Sequence, residues 1–211
     1  MNFRQILNLV AVVAVITVNG LANALPINGQ DTGQIADAIP TLFTPAGYVF
    51  SIWGVIYLGL IAFAVYQALP AQRADARLKA VFPWFQAAAL FNMAWIFAWH
   101  YNQVPLSMVL MLGLLGSLIA IYLRLGIGQR PFAPRERWAV QVPFSIYLGW
   151  ISVATIANAA ALLFVWQWDG FGLSPAIWSA VVLAVGTLLG LAMMALRREV
   201  AYVLEIGRAH V

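Results

Sequence analysis

The chain has 211 residues, of which 64% are hydrophobic and 9% are charged, and its mean hydropathy is +0.88. A water-soluble domain of this length needs a far more charged surface, so the composition excludes that class and predicts one membrane domain. Cysteine is absent, which excludes a disulfide framework, a thiol nucleophile and a cysteine-ligated metal. The net charge of +4 is less informative than the positions of the charges.

Six apolar segments, each of 20 or more residues, follow one another along the chain. They cover residues 5–25, 47–69, 81–101, 106–125, 138–166 and 176–196. A helix of about 20 residues crosses a hydrocarbon core of roughly 30 Å. Short connectors with turn-forming residues separate the segments, and their continuous apolar runs lack the alternation of a lipid-facing β-barrel. The predicted fold class is therefore all-α, a polytopic transmembrane bundle with at least six helices.

Basic residues alternate between loops and predict the orientation of the chain. Lys and Arg lie before the first segment, in the second and fourth loops, and after the sixth segment: Arg4, Arg73, Arg77, Lys79, Arg124, Arg130, Arg135, Arg137, Arg197 and Arg198. The other three loops hold Asp31, Asp37 and Asp169 and contain no Lys or Arg. By the positive-inside rule the N-terminus is cytoplasmic. The hydrophobic helices favour the cytoplasmic membrane of a bacterium.

The two ends of the chain allow alternative interpretations. Arg4, an apolar run and Ala22-Asn23-Ala24 are also typical of a cleavable signal peptide, although a retained first helix fits all later loops. Residues 1–204 are therefore predicted as a single transmembrane domain. Residues 205–211 continue no pattern and read as the translation of a common sequencing adapter. We expect the natural sequence to depart from this chain after about Leu204, with residues 200–204 beginning a seventh helix; an ordinary short tail is the alternative.

The predicted helices carry little that could perform catalysis. Apart from Arg124, in the last turn of the fourth segment, no Asp, Glu, Lys or Arg lies inside an apolar segment, which disfavours an ion-coupled pump or a proton relay. His100 lies at the end of the third segment, where a lone histidine is more often structural. No Ser/His/Asp set, metal-ligand cluster or glycine-rich phosphate loop is present. We therefore expect a protein that is not an enzyme and that has no cofactor, metal or nucleic-acid partner.

Nine tryptophans fall into two groups by position. Six lie near helix ends, as is typical of an interfacial aromatic belt: Trp84, Trp99, Trp138, Trp166, Trp168 and Trp178. The other three, Trp53, Trp95 and Trp150, lie inside predicted helices. At a rise of 1.5 Å per residue, Trp53 and Trp95 lie about 9 Å from the outer helix ends. By the same rise Asn92, Asn158 and Tyr57 lie about 12–15 Å deep, so three helices place polar or aromatic groups in one layer.

The spacing of these residues also places them on single helix faces. Three sets each recur at helical intervals: Phe50, Trp53 and Tyr57; Asn92, Trp95 and Trp99; and Trp150, Ala154 and Asn158. An amide that faces lipid is costly, so both asparagines are predicted to face inward with the aromatic stripes. Two interpretations stay open. The layer could enclose a cavity for a flat, largely apolar ligand, or the amides could simply bond neighbouring helices.

Three ordered motifs resemble the tryptophan-rich sensory protein family, also called the TspO or translocator protein family. The first is the run Phe43-Thr44-Pro45-Ala46-Gly47-Tyr48-Val49-Phe50, followed by Trp53 and Tyr57. The second is Leu90-Phe91-Asn92-Met93-Ala94-Trp95, and the third is Pro143-Phe144 followed by Trp150, Ala154 and Asn158. Phe43, Ala46 and Tyr48 depart from the family's usual residues, and the sixth helix extends beyond its five-helix core. The resemblance therefore indicates a divergent, extended branch.

The resemblance implies a sensor or receptor that binds porphyrins or other hydrophobic aromatic ligands between its helices, under a cap formed by the first loop. The implied ligand-binding residues are Phe43, Tyr48, Trp53, Tyr57, Asn92, Trp95, Trp150, Ala154 and Asn158. A transporter of such molecules is the main alternative. Two further alternatives are an enzyme that promotes light-dependent porphyrin breakdown and a structural scaffold. The expected partners are the lipid bilayer and a small hydrophobic or tetrapyrrole ligand. Gly186 and Gly190 form a G-x-x-x-G pair that suits a homodimer or internal packing.

Overall fold

The computed structural model describes residues 1–25, 27–39, 41 and 47–197. Eight helices occur in these residues, six of them long and two of them, α2 and α6, short. In chain order they are α1 (Phe3–Ala24), α2 (Thr32–Asp37), α3 (Ile52–Ala68), α4 (Ala76–His100), α5 (Val104–Leu125), α6 (Pro134–Glu136), α7 (Val142–Val165) and α8 (Pro175–Arg197). No strand is found in this part of the chain. The prediction of an all-α bundle with a five-helix core and an extra C-terminal helix is confirmed.

Five stretches of the described chain are long and apolar enough to cross a membrane. They are Phe3–Ala24, Val49–Ala68, Ala76–His100, Val104–Leu125 and Pro134–Val165. In α8 the stretch Ala176–Leu188 forms a further apolar helix. The sixth predicted segment corresponds to α8. The five long apolar helices make the protein an integral membrane protein.

The five core helices form a closed ring. α1 packs on α3 and α4, α4 packs along α5, α5 packs on α7, and α7 returns to α3. Gly113 permits the close approach of α4 and α5, because a Cβ there would lie 2.7 Å from the ring of Phe91. Within the described residues α8 packs extensively against none of the five. Its start is instead fixed by Trp178, whose Nε1 donates to the carbonyl of Gly170 at 2.9 Å.

Local sequence explains where the helix bounds differ from those predicted. α4 begins at Ala76 rather than residue 81 because Asp75 caps it, accepting hydrogen bonds from the amides of Arg77 and Leu78 at 2.8 and 3.1 Å. Burial raises the pKa of the Asp75 carboxyl, but these bonds and the charge of Arg77 outweigh that effect and leave the pKa below its usual value. The α-helical part of α3 begins only at Ile52, after a 3₁₀ turn over Gly47–Ser51.

A π-helical segment, Arg137–Gln141, interrupts the fifth predicted segment between α6 and α7. Pro143 lies two residues after its end and has no backbone N–H to donate to the carbonyl four residues earlier, which is that of Ala139. The chain therefore adopts a wider turn at this point, as π-bulges do elsewhere.

Consecutive membrane-crossing helices place their loops at alternating ends of the bundle. We define the basic end by the loops 69–75 and 126–133, and the acidic end by the loops 25–51, 101–103 and 166–174. At the basic end Glu136 pairs with Arg77 at 2.8 Å and with Arg130 at 2.7 Å. The predictions for Phe43, for residues 200–204 and for residues 205–211 lie outside the described residues.

Candidate ligand-binding site

A cavity of about 50 Å³ lies within the half of the ring toward the acidic end. We call it cavity one. Its walls come from α2 and the residues after it, from the start of α3, and from α4 and α7. It is lined by Ala36, Ile39, Thr41, Phe50, Trp53, Trp95, Trp99, Trp150, Ala154, Ala157, Asn158 and Ala161. Most of these side chains are aromatic or apolar, which favours an apolar, aromatic occupant.

The indoles of Trp53 and Trp150 meet edge to face in the wall of cavity one. Their ring centroids are 6.2 Å apart at 84°, and Phe50 meets Trp150 in the same manner at 6.0 Å. On its other side Trp53 is stacked on Tyr57 at 5.7 Å. Such edge-to-face and stacked pairs hold the rings in defined orientations, so this part of the wall is built from fixed aromatic planes.

Trp95 and Asn158 link α4, α5 and α7 through hydrogen bonds. The indole Nε1 of Trp95 donates to Oδ1 of Asn158 at 2.9 Å, and Nδ2 of Asn158 donates to the hydroxyl of Ser107 at 3.0 Å. Trp95 is also stacked on Trp99, with ring centroids 5.8 Å apart. The amide of Asn158 therefore contacts cavity one while its polar atoms are already paired with protein groups.

Trp150 differs from Trp95 in the state of its indole nitrogen. Trp150 is 2% exposed, and its Nε1 is buried with no hydrogen-bond partner among the described residues. An indole N–H can only donate, and most buried donors have a partner. Because Trp150 lines cavity one, its N–H is an unpaired donor in a largely apolar wall.

A family model described as TSPO-like protein matches residues 5–207 of this chain. The chain belongs to this family. No curated protein and no solved structure matches it. The three motifs that carried the resemblance thus lie within a match that covers nearly the whole TSPO-like chain.

The TSPO-like fold brings five of the nine predicted site residues to cavity one: Trp53, Trp95, Trp150, Ala154 and Asn158. Tyr57 lines a different cavity, described below. The backbone of Tyr48 lies in the 3₁₀ turn before α3, and its side chain, like all of Phe43, falls outside the described part of the structure. Ligand contact by these nine residues stays a prediction.

Asn92 lies in the interior of the TSPO-like bundle and is not among the residues that line cavity one. Its side chain is fully buried, accepts a hydrogen bond from Nδ2 of Asn19 at 2.7 Å and donates to the hydroxyl of Tyr147 at 3.2 Å. These bonds connect α1, α4 and α7. This arrangement matches the second interpretation of the sequence, in which the amide forms hydrogen bonds to neighbouring helices.

Several residues of the cavity wall were not among the nine predicted site residues. Trp99 was assigned to the interfacial belt by its position at a helix end, yet it is 6% exposed and lines cavity one. Its spacing of four from Trp95 was the signal that placed both on one face. Ala157 and Ala161 continue the small-residue face of Ala154 and could have been found from the same periodicity. Ile39 and Thr41 follow α2 in sequence and gave no signal of their own.

A second cavity, of about 400 Å³, lies at the acidic end between α1, α2 and the start of α3. We call it cavity two. It is lined by Asn19, Gly20, Asn23, Asp31, Thr32, Gly33, Gln34, Asp37, Phe50, Trp53, Tyr57 and Ile96. Phe50 and Trp53 belong to the walls of both cavities. In contrast to cavity one, most of these side chains are polar. Among the described residues no cluster of His, Cys, Asp and Glu could hold a metal ion.

Proposed function

We propose that this TSPO-like membrane protein is a receptor or sensor that binds a hydrophobic aromatic ligand, such as a porphyrin-like molecule, in cavity one. The observation that carries the proposal is the convergence of three indoles. Trp53, Trp95 and Trp150 come from α3, α4 and α7 and line one cavity. Flat aromatic ligands are held by such walls through burial of apolar area and through stacked or edge-on ring contacts.

The indole N–H of Trp150 supports a ligand that carries a hydrogen-bond acceptor. The amide of Asn158 is already paired with Trp95 and Ser107, so Trp150 is the polar group left to orient the ligand. A carbonyl, carboxylate or ether oxygen on the rim of an aromatic ring meets this requirement. A ligand without an acceptor leaves the N–H unpaired, as it is in the free protein, and so binds more weakly than a ligand that accepts this hydrogen bond.

The volume of cavity one bears on the size of the ligand. Pockets for drug-sized ligands measure about 300–1,000 Å³, whereas cavity one has about 50 Å³. Binding of a tetrapyrrole therefore requires wall side chains to move apart, while a ligand of one or two rings displaces fewer of them. Ala154 contributes only a methyl group to the wall, so added side-chain volume at this position competes with the ligand for the cavity.

The charge pattern supports an orientation with the basic end in the cytoplasm and the N-terminus there as well. Both cavities would then open toward the outer leaflet. The bacterial cytoplasmic membrane and a homodimer through Gly186 and Gly190 stay predictions.

The test is tryptophan fluorescence quenching by protoporphyrin IX on the purified full-length chain. Ala154→Phe fills cavity one, and we expect about a tenfold loss of affinity, the equivalent of a modest overpacking penalty. Ala159→Phe on the same helix is the matched control, because Ala159 is half-buried and does not line the cavity. We expect saturable quenching in the parent chain and in the control.

Weak, linear quenching in all three proteins would indicate partitioning of the porphyrin into detergent and would contradict the proposal. Equal losses in Ala154→Phe and Ala159→Phe would also contradict it, since a general disturbance of α7 would then explain both. A two-ring ketone, 2-acetylnaphthalene, titrated by calorimetry in parallel, tests the site with a ligand that needs less expansion of the walls.

A further inference from the structure

Cavity two differs from cavity one in size, in polarity and in the charges around it. Its polar lining side chains come from α1 and α2, and its aromatic side is formed by Phe50, Trp53 and Tyr57. Its volume of about 400 Å³ lies within the range of small-molecule sites. A site in cavity two is therefore separate from the site proposed for cavity one, although Phe50 and Trp53 line both cavities.

The charges at this end of the bundle all have one sign. Asp31 and Asp37 line cavity two, and Asp169 lies in another loop of the same end. The loops 25–51, 101–103 and 166–174 contain no Lys or Arg, and the segment 40–46 contains no charged residue. The guanidinium and ammonium groups that the structure describes lie at the opposite end of the helices. A cation entering cavity two is therefore attracted, and a carboxylate is repelled.

The unpaired hydroxyl of Thr32 is a second, independent feature that indicates a ligand in cavity two. Its backbone is fixed, because its N–H donates to Oδ1 of Asn23 at 3.4 Å and its carbonyl accepts from Nε1 of Trp99 at 3.3 Å. Thr32 is 5% exposed, and its hydroxyl is buried with no partner among the described residues. Buried hydroxyls are normally paired. Since Thr32 lines cavity two, an occupant of that cavity is placed to provide the partner.

The aromatic side of cavity two suits a cation with a ring attached. Trp53 and Tyr57 are stacked with ring centroids 5.7 Å apart, so they present a rigid surface to the cavity. Ammonium groups are attracted to the faces of such rings, and an aromatic body packs against them. Acidic groups on one side and aromatic rings on the other complement an amphipathic cation.

We propose that cavity two binds a protonated aromatic amine. Its ammonium group pairs with Asp31 and Asp37 and donates to the hydroxyl of Thr32, while its ring packs on Trp53 and Tyr57. The same charges disfavour anionic ligands, including those with free carboxylates. The two cavities thus select ligands of different charge.

The experiment is isothermal titration calorimetry on the purified full-length chain with three probes of similar shape. Phenethylamine carries a positive charge, 2-phenylethanol is neutral and 3-phenylpropionate is negative. We expect saturable binding of the amine, binding of the alcohol at least about tenfold weaker, and no binding of the acid. Equal affinity for amine and alcohol would overturn the proposal, because the charges would then contribute nothing.

Two variants locate the site. Asp31→Asn with Asp37→Asn removes both charges, and asparagine at position 31 can still accept the capping bond from the amide of Gln34. We expect amine affinity to fall about fivefold for each charge removed. Asp169→Asn is the matched control, since it removes the same charge from the same end outside cavity two. If amine affinity fell equally per charge in this control, the proposed site would be wrong, and a general negative surface potential would explain the binding.

Thr32→Val removes the free hydroxyl while keeping the shape of the side chain. We expect about a threefold or larger loss of amine affinity and no loss for a quaternary analogue, phenethyltrimethylammonium, which has no N–H to donate. Unchanged amine affinity in Thr32→Val, measured in protein with parental elution and tryptophan emission, would contradict the role of Thr32. Failure of these tests leaves the porphyrin measurements on cavity one unaffected, so the two proposals are judged separately.

Discussion

The two halves of the five-helix ring differ in how their aromatic side chains pack: in one half the rings fill the interior, and in the other they surround two cavities. Toward the basic end, Gln67 is fully buried; it accepts from Asn8 at 3.2 Å and donates to the carbonyl of Gln5 at 3.1 Å. Next to this amide network, Phe63, Phe85 and Phe144 pack with ring centroids 4.9–6.1 Å apart. Toward the acidic end, the aromatic rings instead surround two cavities, and the N–H of Trp150 and the hydroxyl of Thr32 lack partners in the described structure.

The difference suggests that one half of the ring stabilises the fold and the other half binds ligands. Paired amides in a membrane interior fix helix register, because an unpaired amide there is costly. A cavity with an unpaired donor instead loses packing contacts and hydrogen bonds, and such costs are typical of sites that gain a partner on binding. Substitutions in the first half should therefore change stability, and substitutions in the second half should change ligand affinity.

The largest expected effect is on stability, from Phe63→Ala. Phe63 is fully buried against Phe85 and Phe144, so its truncation should lower the free energy of unfolding by ~3–5 kcal/mol. SDS titration followed by circular dichroism measures this quantity. Leu58→Ala on the same helix is the control, because Leu58 is 69% exposed toward lipid and should cost far less. Equal losses at the two positions would remove the distinction between a packed interior and a lipid-facing surface.

An intermediate effect is expected from Asn92→Leu, which decides between the two interpretations of that amide. The change removes the hydrogen bonds of Asn92 with Asn19 and Tyr147, and should lower the free energy of unfolding by ~1–3 kcal/mol, with little change in protoporphyrin affinity. Adding Asn19→Leu should cost less than the sum of the two single changes, since both remove the same bond. A large loss of affinity with unchanged stability would instead place Asn92 in the ligand site.

The smallest and most specific effect is expected from Trp150→Phe. The change removes the free N–H but keeps an aromatic ring in the wall of cavity one. Affinity for 2-acetylnaphthalene should fall about threefold to tenfold, and affinity for 2-ethylnaphthalene, which has no acceptor, should change much less. Calorimetry on both ligands provides the comparison. Equal changes for the two ligands would show that ring shape, and not the N–H, determines binding.

Much of the candidate site could be predicted from helical periodicity. The 1.5 Å rise per residue placed Trp53, Trp95 and Asn158 in one layer, and helical spacing placed Trp150 and Ala154 on the same face as Asn158; all five line cavity one. The predicted layer also held Asn92 and Tyr57, which do not line this cavity. Periodicity could not show to which of the two cavities an aromatic side chain of α3 belongs. Tyr57 follows Trp53 on one face of α3 but lines cavity two, because α1 packs on that side of α3 and α7 packs on the other.

The sequence by itself determined the membrane environment, the helical class and the approximate position of every long helix, because the cost of exposing backbone and charge to lipid depends only on local composition. Tertiary structure alone decided which amides are paired. Asn92 and Asn158 have the same side chain at similar depth, yet Asn92 meets Asn19 and Tyr147, and Asn158 meets Trp95 and Ser107 beside a cavity. These partners come from helices distant in the chain, so the outcome depends on how the ring of helices closes.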